Sequence, residues 1–270
     1  MTVEHSLLGK ETNYPTSYQP DILFPISRAQ ARENYKHVEG IYKGKDWWHI
    51  FEISWLNDHG IPQVAIGRMT LPACSEFLIE SKSLKLYFNS MNFTQFASQQ
   101  AFIDTVEKDL SHAAQAPVTL TLFQVDQLDI AQPQGICLDE QQPDCLVNHP
   151  DASLLQLDDS EKVVEEQLFS HLLRSNCPVT GQPDWGTIFI RYRGKKPCYR
   201  SILAYIISYR QHNGFHEQCV EQIFADIWQN LQPEKLMVYA TYTRRGGLDI
   251  NPCRVSDESW MPSPIRLARQ

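Results

Sequence analysis

Cys177 sits in the run Ser175-Asn176-Cys177-Pro178-Val179-Thr180-Gly181-Gln182-Pro183-Asp184-Trp185-Gly186. A thiolate is a strong nucleophile toward an unsaturated carbon. Asp184 follows seven residues later, close enough along the loop to fold back to the same site. The stretch is polar and carries proline and glycine, so it reads as a loop between a helix and a strand. Loops on rigid scaffolds are where catalytic groups concentrate. The same residues also suit a plainer reading, a packed cysteine beside a capping aspartate.

Three further clusters bear polar chemistry. Phe215-His216-Glu217 opens a long helical pattern, and a carboxylate at a helix N-terminus is favoured by the helix dipole. Such a group can accept from the ring N–H and amino group of a guanine-like base, or be no more than a helix-start charge. Glu80-Ser81-Lys82-Ser83-Leu84-Lys85 crowds polar and basic groups at another helix start. Backbone N–H groups there suit a phosphate, helped by the lysines, although a solvated helix face has the same composition. Arg244-Arg245-Gly246-Gly247 can grip a phosphate through arginine and let backbone approach at glycine, or simply end a strand and turn. The sequence has no Gly-x-Gly-x-x-Gly fingerprint after a strand, no Walker motif, no His-Glu-x-x-His and no zinc spacing. No metal site is expected.

Two similar sets of elements position these groups. Trp47 to Leu56 alternates as a strand, Asn57-Asp58-His59-Gly60 turns, and Ile61 to Met69 returns. A helix start at Ile79 to Tyr87 is followed by a longer helix with Phe96, Ile103, Val106 and Leu110 on one face, and by a strand at Val118 to Val125. In the second half, Glu161 to Arg174 reads as a helix through Val164, Leu168 and Leu172, and Thr187 to Arg193 as a strand. A short helix spans 200–210. Phe215, Cys219, Val220, Ile223, Phe224, Ile227, Trp228 and Leu231 form a strong helical stripe, and Leu236 to Tyr242 is again a strand. Tyr87-Phe88-Asn89-Ser90 matches Tyr205-Ile206-Ile207-Ser208 in position, and Phe93 matches Phe215. The pattern predicts an α+β chain: an irregular lead-in (1–45), a first module (46–130), a connection that includes edge strands or coil (131–160) and a second module (161–270).

The 270 residues suffice for a self-supporting core. Hydrophobic residues at 42% and charged residues at 21% exclude a disordered or collagen-like chain. A formal net charge of −8 argues against tracking nucleic-acid phosphates over a large surface, so no direct nucleic-acid partner is expected. The seven cysteines, at 74, 137, 145, 177, 198, 219 and 253, include no Cys-x-x-Cys pair. With no secretory signal and no apolar run near the ~20 residues of a membrane span, a cytoplasmic protein with reduced thiols is expected.

Taken together, these motifs resemble the NADPH-dependent 7-cyano-7-deazaguanine reductases, the nitrile reductases of queuosine biosynthesis. The resemblance covers most of the chain. It rests on Glu80 through Tyr87, Ser175 through Trp185, Phe215-His216-Glu217-Gln218-Cys219 and Tyr242-Thr243-Arg244-Arg245-Gly246-Gly247, in that order. It is closest to the longer, two-module form, and implies tandem tunnelling-fold modules, a fold shared with GTP cyclohydrolase I.

The resemblance implies roles. Cys177 would add to the nitrile carbon and form a covalent thioimide, and Asp184 would donate the proton. Glu217, with His216, would anchor the deazaguanine ring, and Ile79, Glu80 and Ser81 would line its pocket. Ser81, Lys82, Arg245 and Gly246 would meet NADPH. The first module has Phe93-Thr94-Gln95 where Phe-His-Glu would fall, and the second has Cys198-Tyr199-Arg200-Ser201 where Glu-Ser-Lys-Ser would fall. Neither half is complete, so one site drawing on both is expected. Addition of a thiol makes a nitrile reducible by hydride, and a carboxyl donor needs a partly apolar setting, which Trp185 would supply. A tunnelling-fold cyclohydrolase would require zinc-binding residues. A non-catalytic purine-binding module would bind the nitrile without oxidising NADPH. Edge-to-edge closure of such modules predicts a homodimer.

Overall fold

Gly60 adopts φ +75° in a computed structural model that describes residues 14–270. It closes the first hairpin, its N–H donating to Asn57 O at 2.9 Å. Glycine tolerates this left-handed conformation without a Cβ clash. The hairpin joins β2 (Gly44–Leu56) to β3 (Pro62–Pro72), after a short β1 (Pro25–Ser27) and one turn of helix α1 (Ala29–Arg32). There follow β4 (Phe77–Ile79), α2 (Ser81–Ser90), α3 (Gln99–Ala114) and β5 (Thr119–Phe123). The remainder comprises β6 (Ile136–Cys137), β7 (Val163–Ser170), β8 (Arg174–Asn176), β9 (Pro183–Lys195), α4 (Tyr199–Ser208), α5 (His216–Leu231), β10 (Lys235–Tyr242) and β11 (Leu248–Val255). The chain is α+β, and its strands pair mostly antiparallel, β6 with β7 being a parallel pair among the described residues.

Two compact units divide these elements. The first holds residues 14–31, 46–129 and 244–249 of the described chain, with strand order β5-β3-β2. The second holds 32–45, 130–243 and 250–270, with strand order β11-β10-β9-β7-β6 and β8 added on β9. Arg245 and Gly246 thus belong with Lys82 in the first unit, although chain order puts them late. The Phe51 N–H, donating to Gly247 O at 2.9 Å, ties that turn to β2.

The internal repeat is written in matching hydrogen bonds. Ser83 Oγ donates to Glu80 O at 2.7 Å in the first turn of α2, and Ser201 Oγ to Cys198 O at 2.8 Å in α4. Each serine also accepts from a preceding strap: Phe24 N–H at 3.0 Å, Gln156 N–H at 3.1 Å. Near the helix ends, Tyr87 Oη donates to Asp109 at 2.7 Å and Tyr205 Oη to Asp226 at 2.5 Å. Both long helices end on a left-handed glutamine, Gln115 and Gln232. The expected lead-in and connection therefore each contain the same strap, with 3-10 turns at Pro20–Ile22 and Ala152–Leu154. Residues 1–13 of the lead-in lie outside the described residues.

Several expectations are corrected. Residues 163–170 form strand β7, paired with β9 over its whole length, where a helix over 161–174 was expected. The core face of α3 is Phe102, Val106 and Leu110; Ile103 is half-buried and Phe96 precedes the helix. Phe93 is 67% exposed and does not match Phe215, which sits immediately before α5. Ser98 takes that place before α3, so Gln99 and Gln100 stand where His216 and Glu217 stand. Strand β11, which the reading of the sequence omitted, follows the Arg244–Gly247 turn.

Candidate active site

Cys177 lies at the mouth of a hairpin between β8 and β9, so a strand precedes it, not a helix. Its N–H donates to Gln182 O at 2.9 Å, and Gly181 N–H donates to Cys177 O at 3.0 Å. Gly181 takes φ +65°, which lets the chain reverse within this short loop. Asp184 lies on β9 itself, opposite Ser175 of β8. The thiol residue is 5% exposed and Asp184 3%.

The hairpin is laced to the start of α5. Asn176 N–H donates to His212 O at 2.8 Å, and Gly214 N–H donates to Asn176 O at 3.1 Å. The residue before Cys177 is thereby fixed to the segment before His216 and Glu217. Glu217 is buried in the first turn of α5, where the helix dipole favours a carboxylate. His216 Nε2 lies 3.4 Å from Asp184 Oδ2. The imidazole also stacks on Tyr242, 3.9 Å between centroids. Trp185 is not the apolar wall of Asp184. Successive strand residues face opposite ways. Trp185 is 41% exposed, with the guanidinium groups of Arg174 and Arg210 each 5.4 Å from its ring. Asp184 meets His216, and that ring in turn stacks on Tyr242.

Cys219, two residues after Glu217, is a different kind of thiol. It is fully buried, and burial, with Asp184 and Glu217 adding to it, pushes its pKa up to about 12. It stays protonated at neutral pH and is a poor nucleophile.

In the first unit, Ile79 is buried at the end of β4, and Glu80 caps α2. The Glu80 carboxylate accepts from Lys82 N–H at 2.7 Å and Ser83 N–H at 2.8 Å. This corrects the expectation of a phosphate on those N–H groups, since the helix start is already satisfied. Burial raises the Glu80 pKa, and the two N–H bonds oppose that rise. Ser81 and Lys82 are left half-buried on the first turn. Gly246 adopts φ +58°, and a Cβ there would lie 2.9 Å from Lys85 Nζ. Lys85, one turn after Lys82 on α2, reaches Gly246 and pairs with Glu52 at 3.7 Å. The cavity beside Gly246, lined by Glu52 as well as Lys85, holds about 70 Å³. A larger cavity of about 740 Å³, lined by Asp21, Phe77, Lys108 and His112 among others, contains none of the motif residues.

The structure brings Asp184 and His216 together and laces Asn176, the residue before Cys177, to the segment before His216 and Glu217. Reasoning from sequence missed Asn176 and Tyr242 as parts of this arrangement, although both stand inside quoted motifs. Among the described residues no cluster of His, Cys, Asp or Glu is arranged to hold a metal, and no helix is long and apolar enough to cross a membrane.

Comparison with known proteins adds to this geometry. Residues 14–122 match the model of a nitrile reductase N-terminal region, "7-cyano-7-deazaguanine-reductase N-term", and residues 183–260 match a "QueF-like protein" model. The chain is 80% identical over 270 residues to an NADPH-dependent 7-cyano-7-deazaguanine reductase of Acinetobacter baumannii, covering 100% of both. It is 52% identical over 282 residues to the one of Psychrobacter cryohalolentis, covering 98% of this chain and 99% of that one. A solved apo structure of the archaeosine synthase QueF-Like aligns with 36% of this chain and 96% of its own, at a TM-score of 0.31 and 18% identity.

Proposed function

The chain belongs to the NADPH-dependent 7-cyano-7-deazaguanine reductases, and from that premise we propose how its residues divide the work. It is an oxidoreductase that depends on NADPH. The proposed reaction converts the nitrile of 7-cyano-7-deazaguanine to the primary amine, 7-aminomethyl-7-deazaguanine, with two NADPH and two protons consumed per product.

Cys177 is assigned as the nucleophile. Its sulfur bonds to the nitrile carbon while Asp184 gives a proton to the nitrile nitrogen, leaving a thioimide. NADPH supplies hydride to that carbon. The thiol then leaves, and the resulting imine is reduced in a second round while the site shields it from water. Glu217, steadied beside His216, accepts from the ring N–H and amino group of the base. Ile79, Glu80 and Ser81 are assigned to the pocket wall. Ser81, Lys82, Arg245 and Gly246 are assigned to NADPH, with Lys82 and Arg245 as charges toward its phosphates. Ile79, Glu80, Ser81, Lys82, Arg245 and Gly246 belong to the first unit, and Cys177, Asp184, His216 and Glu217 to the second.

The observation that carries the reading is the lacing of Asn176 to His212 and Gly214, which fixes the residue before Cys177 to the segment that leads into Glu217. The test is stoichiometry. Two NADPH oxidised per amine formed is expected, and binding of the nitrile with no NADPH oxidised would leave only a binding module. Within the first unit, β5 has no outer partner strand among the described residues, an open edge that suits the proposed homodimer. Sedimentation at micromolar concentration is expected to give the dimer mass. A cytoplasmic setting is proposed for the same reduced thiols.

A further inference from the structure

Gly186 and Tyr242 form the last pair of the β9–β10 ladder. A ladder end frays unless something holds it. Here both carbonyls of the pair are gripped from one short segment. Arg269 Nη2 donates to Gly186 O, and also to His171 O at 3.0 Å and Thr187 Oγ1 at 3.2 Å. Gln270 Nε2 donates to Tyr242 O at 3.2 Å and to Asn251 Oδ1 at 2.8 Å. That same Asn251 oxygen accepts the Tyr242 N–H at 3.2 Å. The Gln270 amide is used at both ends, since its Oε1 accepts Leu267 N–H at 2.7 Å, and the residue is 4% exposed.

The gripped pair backs the chemistry. A Cβ on Gly186 would lie 3.2 Å from the Tyr242 ring, so the ring rests on glycine backbone. Tyr242 also stacks on His216, and His216 meets Asp184, which stands two residues before Gly186 on the same strand. We propose that Arg269 and Gln270 are positioning residues: by holding the carbonyls of Gly186 and Tyr242, they set where His216 meets Asp184. This rests on reading Asp184 as the proton donor.

The test measures thioimide formation in single turnover across pH, with KM and thermal midpoint alongside. Gln270→Ala removes the grip. Gln270→Glu turns the Nε2 donor into an acceptor facing Tyr242 O and Asn251 Oδ1. Arg269→Lys, which keeps the charge but loses the fork, guards against a variant that fails to fold. Slight displacement of a reacting group costs up to about a hundredfold, so Gln270→Ala is expected to slow thioimide formation roughly tenfold to a hundredfold. KM for the nitrile is expected to stay within about threefold, and the pH profile to shift, with Gln270→Glu slower still and Arg269→Lys intermediate. A lowered thermal midpoint with a wild-type rate and pH profile in the folded protein, while Asp184→Asn is inactive, overturns this proposal alone. A wild-type rate in Asp184→Asn overturns the donor reading beneath it.

Discussion

The ring of Tyr242 lies flat on the imidazole of His216, 8° from parallel and 3.9 Å between centroids. Tyr242 is fully buried, so the imidazole can neither tilt nor slide without repacking a core residue. Stacked aromatic pairs contribute about 0.5–1.5 kcal/mol beyond burial. Tyr242→Phe keeps the ring and is expected to keep kcat within about threefold, whereas Tyr242→Leu loses the platform and is expected to lose roughly tenfold or more. Steady-state kinetics on both variants checks this, and equal kcat values would show that the stack does no positioning.

The two buried thiols near the helix start should separate cleanly. Cys219, with its pKa pushed up to about 12, is expected to resist iodoacetamide in the folded protein at pH 8. Cys177→Ala is expected to abolish turnover yet still bind the nitrile, because base recognition is assigned to Glu217. Cys219→Ala is expected still to form the adduct. Peptide mapping after alkylation, with and without the nitrile, tests the pair.

Much of this arrangement is readable in the sequence, and the failures have identifiable causes. Asn57-Asp58-His59-Gly60 between two alternating runs gave the first hairpin, and the α5 stripe gave its helix. Val164, Leu168 and Leu172 misled because a spacing of four satisfies both a helix face and a strand face, four being two strand periods. The β-branched pair Val163-Val164 and the alternate burial along Val164, Glu166, Leu168 and Ser170 belong to the strand. β11 escaped notice because Asp249, Asn251 and Arg254 look like surface residues. All three are buried, and each meets a partner distant in sequence: His49, Gln270 and Glu221 respectively. The motif residues were visible as types, but their contacts were not. Glu80 looked like the edge of a phosphate site and instead satisfies its own helix, and the Tyr242–His216 stack spans 26 residues of chain that only folding brings together.

Glu80 makes a pH prediction with a definite sign. Its pKa is raised from 4.5 by burial, so above pH 4.5 the folded state binds more protons at this group than the unfolded chain does. Its contribution to stability therefore falls as pH rises from about 4.5 through the folded value. Glu80→Gln cannot titrate. Urea unfolding from pH 4.5 upward is expected to show the stability of wild type minus that of Glu80→Gln declining across this window, and a difference that grew with pH would contradict the assignment.

Lys82 is assigned to the charge of NADPH and not to the neutral base. Lys82→Ala is expected to leave adduct formation unchanged and to raise the NADPH concentration needed for half-maximal reduction by roughly tenfold to a hundredfold, a charge-assisted contact being worth roughly 1.5–3 kcal/mol. Single-turnover reduction of the preformed adduct, titrated with NADPH, measures this directly. Blocked adduct formation with unchanged NADPH affinity would move Lys82 to the substrate side.

Glu217→Ala is expected to weaken binding of the nitrile by roughly tenfold to a hundredfold, because donors of the buried ring would lose a charged acceptor. Calorimetric titration in the Cys177→Ala background isolates this from the covalent step. Affinity within twofold of the parent would remove Glu217 from base recognition.

The central claim is that Cys177 attacks the nitrile, and peptide mass spectrometry tests it most directly. The protein is incubated with 7-cyano-7-deazaguanine in the absence of NADPH, digested and mapped. One adduct of the nitrile's mass on the peptide carrying Cys177, lost when NADPH is added, is the predicted result. An adduct on Cys198 or Cys219, or none in a preparation that turns over, would contradict it.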